Sequence, residues 1–114
     1  MLLITSRETK RWVIPKGWPM AGLKDFTSAK REALEEAGVT GQISKTAAGH
    51  FTYEKRLKDG KTLICSVAVF RLQVKTLFRN WKEKSERTRT WFSAEQAAIR
   101  VHEPSLKIII QALV

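Results

Sequence analysis

The stretch from Gly17 to Val39 decides the fold, and it reads GWPMAGLKDFTSAKREALEEAGV. A glycine-containing turn leads into a predicted helix whose glutamates, Glu32, Glu35 and Glu36, fall on one side. Like charges this close destabilise a helix, so a helix keeps such a cluster more readily when a cation neutralises it. Clustered hard oxygen ligands suit Mg²⁺ or Mn²⁺. The stretch therefore predicts a divalent metal site on this helix.

The boundaries of the helix can be predicted from its capping residues. Asp25 or Thr27 suits the N-cap, and the helix should run to about Ala37 and end at Gly38. A separate apolar stripe indicates the face that packs against the core, and it consists of Phe26, Ala29, Ala33 and Ala37.

The same stretch resembles the Nudix box, the signature of hydrolases that cleave a nucleoside diphosphate linked to another group. The signature runs Gly, five residues, Glu, seven residues, then Arg-Glu-U-x-Glu-Glu-x-Gly-U, where U is a bulky aliphatic residue. Ala33 is a weak match for the first U, and Leu23 stands where the signature has its first glutamate. The positions that match in register are Gly17, Arg31, Glu32, Glu35, Glu36, Gly38 and Val39. The alternative explanation is a solvated acidic helix face followed by a glycine C-cap.

The resemblance implies metal-dependent cleavage of a pyrophosphate link with Mg²⁺ or Mn²⁺ as cofactor. It makes Glu32 and Glu36 the first-choice metal ligands and Glu35 the next, with the backbone carbonyl of Gly17 as a further ligand. Arg31 is expected to orient a box glutamate through an ion pair. Leu23 supplies no carboxylate.

Members of this family often recruit a further acid from outside the box. Glu83 and Glu86 precede a predicted strand and are the candidates, although a solvated loop acid explains each equally well. His50 and His102 are the only histidines, and neither is favoured as a catalytic group.

Three further segments look like the small Nudix enzymes grouped with diphosphoinositol polyphosphate phosphohydrolases, which also act on diadenosine polyphosphates. They are 12–18, 53–57 and 87–92. In such an enzyme Trp18 would touch the ligand, whereas Trp12 and Trp91 are better explained as core. The basic residues predicted to contact phosphate are Lys10, Arg11, Lys16, Lys55, Arg56, Lys58, Arg87 and Arg89. Each of them, taken singly, is better explained as an ordinary surface charge.

The composition favours one soluble domain whose surface attracts polyanions. The 114 residues suffice for a modest core, and the apolar content of 43% and charged content of 28% are ordinary. The net charge of +10 favours a phosphate-rich substrate, or solubility alone. The single cysteine, Cys65, is expected to be buried and indicates a reducing, cytoplasmic setting. The apolar N-terminus is too short for a signal peptide, and no segment has the length of a membrane span.

The remaining elements follow from periodicity and turn signals. Residues 1–5 and 12–14 predict a hairpin, 50–53 a strand, and Asp59-Gly60 a type I′ hairpin turn. Residues 63–74 are apolar on both faces, which predicts a central strand covered on both sides. A polar loop over 75–86, a strand over 88–92, a helix over 94–101 capped by Ser93 and Gln96, and a final helix from Pro104 complete the chain.

This pattern predicts one α/β domain over residues 1–114, and the resemblance implies a Nudix-like α/β/α sandwich with a mixed β-sheet. Such domains usually have a strand before the first hairpin, so either the numbering begins late or a partner subunit, as in a homodimer, covers an exposed sheet edge. A rival hypothesis is a catalytically weakened module that binds nucleotide or RNA through its basic charge and aromatic residues. The polyphosphorylated small molecule remains the favoured partner, with nucleic acid less favoured and no membrane.

Overall fold

The computed structural model describes residues 1–17 and 20–113. None of its helices in this part of the chain is long and apolar enough to cross a membrane. The strands are β1 (Leu2–Thr5), β2 (Trp12–Val13), β3 (Val39–Ile43), β4 (Gly49–Arg56), β5 (Thr62–Val69), β6 (Leu72–Leu77) and β7 (Arg89–Trp91), and the helices are α1 (Asp25–Ala37), α2 (Ala94–Arg100) and α3 (Pro104–Ala112).

Strand β1 lies between two hydrophobic clusters that the described residues form. Because side chains alternate along a strand, the fully buried neighbours Leu3 and Ile4 enter different clusters. Leu3 joins the cluster built from α2, α3 and β4, whereas Ile4 joins the cluster built from α1 and β3. Helices therefore cover both sides of β1, which confirms the α/β/α sandwich.

The described strands form three antiparallel ribbons. Their orders are β2-β1-β7, β3-β6 and β4-β5. The α/β class is confirmed, but the parallel pairing that a mixed sheet needs is not among the pairings in residues 1–17 and 20–113.

Helix α1 has the predicted C-terminus but not the predicted N-cap. Gly38 adopts the left-handed conformation (φ 66°) and closes the helix after Ala37. At the other end Lys24 is the N-cap and no side chain caps the helix, so the assignment of Asp25 or Thr27 to that position was wrong.

The β4–β5 hairpin is confirmed, but its turn is not type I′. A type I′ turn needs positive φ at both central residues, and here only Gly60 has it (φ 83°). The amide of Gly60 donates to the carbonyl of Leu57, and the amide of Leu57 donates to the carbonyl of Lys61. Asp59 supports the loop by accepting from the Lys61 amide at 3.0 Å.

The prediction of one central strand over 63–74 was wrong. The run divides at Phe70-Arg71 into β5 and β6, which pair with different strands. Strand β5 pairs only with β4 among the described strands, and its Leu63 and Ile64 are 43% and 70% exposed. A run that is apolar on both faces indicated burial that this strand does not have.

The C-terminal helices follow the sequence closely. Ser93 and Gln96 form the predicted capping box of α2, and Pro104 occupies the first turn of α3.

Trp12 packs edge-on against Phe92 as expected of a core residue, whereas Trp91 is 52% exposed and the core prediction for it was wrong. The predicted polar loop over 75–86 is also shorter, because β6 extends to Leu77 and 84–86 form a short 3₁₀ turn.

Candidate active site

The C-terminal end of α1 is fixed by two side chains from distant parts of the chain. The indole of Trp81 donates to the carbonyl of Glu36 at 3.0 Å, and its ring lies so close to Gly38 that a Cβ there would be 2.6 Å away. Arg89 donates to the carbonyls of Ala37 and Gly38 at 2.9 and 3.1 Å. These contacts satisfy carbonyls that a helix end leaves without partners. They therefore hold in place the helical turn that carries Glu36.

The carboxyl groups of Glu32 and Glu36 meet one helical turn apart. Glu36 is only 5% exposed. Burial raises the pKa of Glu36 to about 8, and a hydrogen bond with Glu32 and the charge of Glu32 add to the rise, which Arg87 opposes. In the absence of a cation this raised pKa favours the protonated form of Glu36 at neutral pH.

The backbone at Gly17 lies against this pair. A Cβ at position 17 would stand 2.4 Å from Oε1 of Glu32, so any larger residue would displace the carboxylate or the backbone. The amide of Lys16 reaches Oε1 of Glu36 at 3.4 Å. The structure thus brings Gly17, Glu32 and Glu36 together, as the sequence predicted.

Arg87 connects this pair to the rest of the fold. Its guanidinium lies 3.3 Å from Oε1 of Glu36, donates to Oε1 of Glu83 at 2.9 Å and donates to the carbonyl of Thr5 at 3.1 Å. The Arg87 side chain is only 9% exposed. Arg87 was predicted to bind substrate, and its contacts give it a structural role beside the carboxylates, although it also lines the cleft described below.

Glu35 does not join the pair. It lies 3.6 Å from the guanidinium of Arg31, which confirms that Arg31 pairs with a box glutamate. In the described ranges no three His, Cys, Asp or Glu side chains are grouped closely enough to hold a metal ion.

The two carboxylates that do meet still fit a divalent cation. Mg²⁺ is usually held by one or two carboxylates together with substrate phosphate oxygens and water. A cation would replace the proton retained by Glu36 and offset the repulsion between Glu32 and Glu36. Gly17 leaves room for the backbone to approach the same point.

The candidate acids outside the box take two different positions. Glu83 is linked to Glu36 through Arg87, and its amide donates to the carbonyl of Glu35 at 3.1 Å. Glu86 lies at the rim of the cleft, 3.5 Å from Arg7. Both predictions of a catalytic role stay predictions, with Glu83 nearer to the carboxyl pair by its contacts.

A large basic cleft opens beside Glu36. Its volume is about 1440 Å³, and Lys16, Gly17 and Glu36 form part of its wall. This basic cleft is also lined by cations from β4, the first hairpin and the segment before β7, namely Arg7, Lys10, Arg11, Lys55, Arg56 and Arg87. Most of the predicted phosphate contacts therefore do converge.

Lys16 is a partly buried cation of this cleft. Its ammonium lies 4.8 Å from the centre of the Tyr53 ring, a cation–π contact. Burial lowers the pKa of Lys16, an effect that the charges of Glu103 and Glu36 oppose. The pKa of the Tyr53 hydroxyl is raised, mainly by burial and then by a hydrogen bond with Cys65.

Arg89 does not line the basic cleft. Besides the carbonyls of Ala37 and Gly38, it donates to the carbonyl of Phe78 at 2.7 Å and stacks on Trp81 at 4.1 Å. These contacts explain Arg89 as a cap of α1, and its predicted role in substrate binding stays a prediction. The predicted ligand contact of Trp18 lies outside the described residues.

Sequence reasoning missed Trp81, Arg7 and Glu103 as parts of the site, and it singled out Tyr53 only as part of the segment 53–57 and as an aromatic residue of the rival binding module. Trp81 sits in a segment predicted as a polar loop, and nothing in its spacing links it to the box. Glu103 lines the basic cleft as the residue before Pro104. The start of α3 at Pro104 was visible in the sequence, but its approach to Lys16 depends on tertiary packing.

Comparisons with known proteins place the chain in a family. Residues 1–113 match the NUDIX domain model. The chain is 30% identical over 110 residues to Nudix hydrolase 16, mitochondrial, of Arabidopsis thaliana, covering 94% of this chain and 61% of the relative. It is 31% identical over 108 residues to diphosphoinositol polyphosphate phosphohydrolase 3-alpha of Mus musculus, covering 91% and 62%.

A third relative, Nudix hydrolase 21, chloroplastic, of Arabidopsis thaliana, is 32% identical over 97 residues, covering 85% of this chain and 47% of the relative. The chain thus spans between about half and three fifths of the length of these curated relatives. Because the family model matches almost the whole length of the chain, the chain belongs to the Nudix family.

Proposed function

We propose that this chain is a metal-dependent hydrolase that cleaves pyrophosphate linkages in polyphosphorylated small molecules. The observation that carries the proposal is the juxtaposition of the Glu32–Glu36 carboxyl pair with the basic cleft. Glu36 and Gly17 belong to the wall of that cleft, so a phosphate chain held by its cations ends at the carboxyl pair.

The residues of the cleft supply binding and orientation. Cations such as Arg11 and Arg56 neutralise phosphate oxygens, and arginine does so in a bidentate manner. Lys16 and Arg87 adjoin the carboxyl pair, since the backbone amide of Lys16 and the guanidinium of Arg87 both contact Glu36. The phosphate next to the carboxyl pair is therefore the one that the site is built to cleave.

Glu32 and Glu36 would hold the divalent cation, for which Mg²⁺ or Mn²⁺ is proposed. When bound, such a cation polarises phosphoryl oxygens and lowers the pKa of a coordinated water. Arg87 orients Glu36 through its ion pair. Glu83, which holds Arg87 in turn, remains the nearest candidate for a further acid.

The charge of the cleft supports a substrate class with many phosphates, because the seven cations in its wall outnumber the five glutamates there. A ligand with many phosphates gains more from its cations than a sugar nucleotide with two. The mouse relative is named for diphosphoinositol polyphosphates, which are one such class, and diadenosine polyphosphates are another. We propose that either class is cleaved with a higher kcat/KM than ADP-ribose, and that the preference shrinks as salt screens the cleft.

The test is phosphate release from a panel of these substrates with Mg²⁺, comparing wild type with Glu32→Gln and Glu36→Gln. Both variants keep the shape of the side chain but remove the charge, and we expect kcat to fall at least about 100-fold, or roughly 2.7 kcal/mol in barrier. Glu95→Gln, an exposed change on α2, is the matched control. Near wild-type rates for both box variants would refute the proposal and favour a binding module.

A further inference from the structure

Glu103 is an acid in the wall of the basic cleft, where cations outnumber acids. A carboxylate there repels the phosphates that the surrounding cations attract, so its presence needs a compensating role. Capping of α3 does not supply one, because Glu103 is the N-cap residue but its side chain accepts no hydrogen bond from the helix. The remaining structural explanation is a favourable interaction with the helix dipole, which any acid at a helix N-terminus makes.

The start of α3 is fixed beside Tyr53. The amide of Thr52 donates to Oγ of Ser105 at 3.1 Å, and this contact joins β4 to the first turn of α3. Tyr53 is the next residue of β4, and the Lys16 ammonium lies 4.8 Å from the centre of its ring. Burial lowers the pKa of Lys16 and raises that of Tyr53, and the charge of Glu103 raises both. Glu103 therefore acts on both members of the Lys16–Tyr53 contact.

Lys16 has a second acid within reach. Its backbone amide lies 3.4 Å from Oε1 of Glu36, and its ammonium sits on a flexible four-carbon stem that can turn toward either acid. Among the ion pairs of residues 1–17 and 20–113, Glu36 is joined to Arg87 and not to Lys16. An ammonium paired with Glu36 would take the place of a divalent cation at the carboxyl pair.

We propose that Glu103 is a positioning residue, which holds the Lys16 ammonium on Tyr53 and away from Glu32 and Glu36. The inference rests on the proposed function and adds to it a residue outside the box helix. With Glu103 present, Lys16 stays in the basic cleft to contact a phosphate, and the carboxyl pair stays open to a divalent cation. Without Glu103 the ammonium turns toward Glu36, and both the cation and the phosphate lose a binding group.

The alternative, in which Glu103 is only one more charge in the cleft, predicts opposite effects on a cation and an anion. Removing a lone negative charge weakens the binding of a cation and strengthens the binding of an anion. Loss of the positioning residue instead weakens the binding of both. The two explanations therefore differ in sign for the anion.

The experiment measures the Kd of Mn²⁺ and, on metal-free protein, the Kd of inorganic tripolyphosphate, both without turnover. Glu103→Gln removes the charge at nearly constant shape, whereas Glu103→Asp keeps the charge. Lys16→Met removes the ammonium, and the double variant Lys16→Met/Glu103→Gln completes a double-mutant cycle. Glu95→Gln removes the exposed acid in the first turn of α2 and controls for the loss of a charge at a helix N-terminus.

We expect Glu103→Gln to raise the Kd of Mn²⁺ at least about fivefold and that of tripolyphosphate at least about threefold. Glu103→Asp and Glu95→Gln should stay within about twofold of wild type for both ligands. In the Lys16→Met background Glu103→Gln should change neither Kd more than about twofold, because the ammonium that it positions is gone. Tighter or unchanged binding of tripolyphosphate to Glu103→Gln, or equal losses with and without the Lys16 ammonium, would overturn the proposal.

Failure of this inference can be told apart from failure of the proposed function, because neither Kd requires hydrolysis. If no substrate of the panel is cleaved but the cycle shows coupling between Lys16 and Glu103, the positioning role stands and the hydrolase proposal falls. If hydrolysis depends on Glu36 while Glu103→Gln leaves both Kd values unchanged, the hydrolase proposal stands and the positioning role falls.

Discussion

The two ends of α1 are held in very different ways. At its C-terminal end the backbone carbonyls are bound by Arg89 and Trp81, and Glu36 is ion-paired with the buried Arg87. At its N-terminal end no side chain caps the helix, and the preceding Leu23 is 38% exposed. The carboxyl pair lies on the half of α1 that these long-range contacts hold, whereas near the N-terminal end the buried Ser28 accepts from the amide of Met20 at 3.3 Å. The difference teaches that the contacts to distant parts of the chain are made where the geometry of the site must be kept.

Arg87→Ala should have the largest effect on the contacts that hold the C-terminal end of α1, and so on the free energy of unfolding. It leaves Glu83 without its buried partner and removes the charge that opposes protonation of Glu36, and losing one member of a buried ion pair costs about 3–5 kcal/mol of unfolding free energy. The matched change is Arg31→Ala, which breaks an exposed pair on the same helix and should cost less than about 1 kcal/mol. Urea unfolding of both variants checks this, and equal losses would show that burial does not distinguish the two pairs.

The stability of the metal-free protein should depend on pH through Glu36. Its pKa in the folded protein is about 8, above the ordinary 4.5, so folding retains a proton that the unfolded chain releases between these values. Stability should therefore be full below about pH 4.5 and fall as pH rises to 8, by the order of a few kcal/mol.

Glu36→Gln tests this pH dependence, because glutamine cannot ionise. Chelator-treated wild type should lose stability between pH 5 and pH 8 in urea unfolding, whereas the variant should lose much less. Adding Mg²⁺ at pH 8 should restore stability to wild type but not to the variant, since the cation replaces the proton. Parallel pH profiles for both proteins would contradict the assignment of the pKa to this residue.

Arg89→Ala should act on the fold rather than on the substrate. It removes charged hydrogen bonds to carbonyls at the end of α1 and should lower the unfolding free energy by about 2 kcal/mol. At a temperature where the variant is folded, its KM for polyphosphates should stay within about twofold of wild type. A selective loss for polyphosphates over ADP-ribose would instead restore Arg89 as a substrate ligand.

Leu23→Glu should have the smallest effect, because it lies before the loosely held end of α1. Restoring the first glutamate of the signature should change kcat by less than about tenfold, roughly 1.4 kcal/mol in barrier. Leu23→Gln controls for the loss of the apolar side chain. A gain of 100-fold or more would show that the natural chain is a weakened enzyme.

Local signals in the sequence were sufficient to predict most helices and to place Glu32, Glu35 and Glu36 on one side of α1, although Glu35 does not join the carboxyl pair. The spacing of Glu32 and Glu36, the left-handed Gly38 and the capping box at Ser93 are all encoded within a few residues of where they act. Arg87 and Arg89 show the limit. They are two residues apart on one segment and look alike in sequence, yet one pairs with Glu36 and the other caps α1. Only the path of the chain decides which cation reaches which partner.

The same limit explains the misassigned strand. An apolar run is typical of a buried strand. The run over 63–74 instead divides between two strand pairs, and Leu63 and Ile64 of β5 are exposed. The apolar composition of a segment shows that it can be buried, whereas its actual burial depends on which other segments cover it.

The contacts of Arg87 and the pairing of β7 with β1 also have a consequence for folding. Leu2 pairs with Trp91, and Arg87 bonds the carbonyl of Thr5, so the two ends of the domain must meet before Glu36 acquires its counter-ion. Contacts of such high sequence separation form only after a large loss of chain entropy, and they slow folding. We therefore expect the site to be completed late in folding, because Glu36 gains its buried charge partner only when residues 87–91 have reached β1. A nascent chain with residues 87–91 still inside the ribosome would lack that partner.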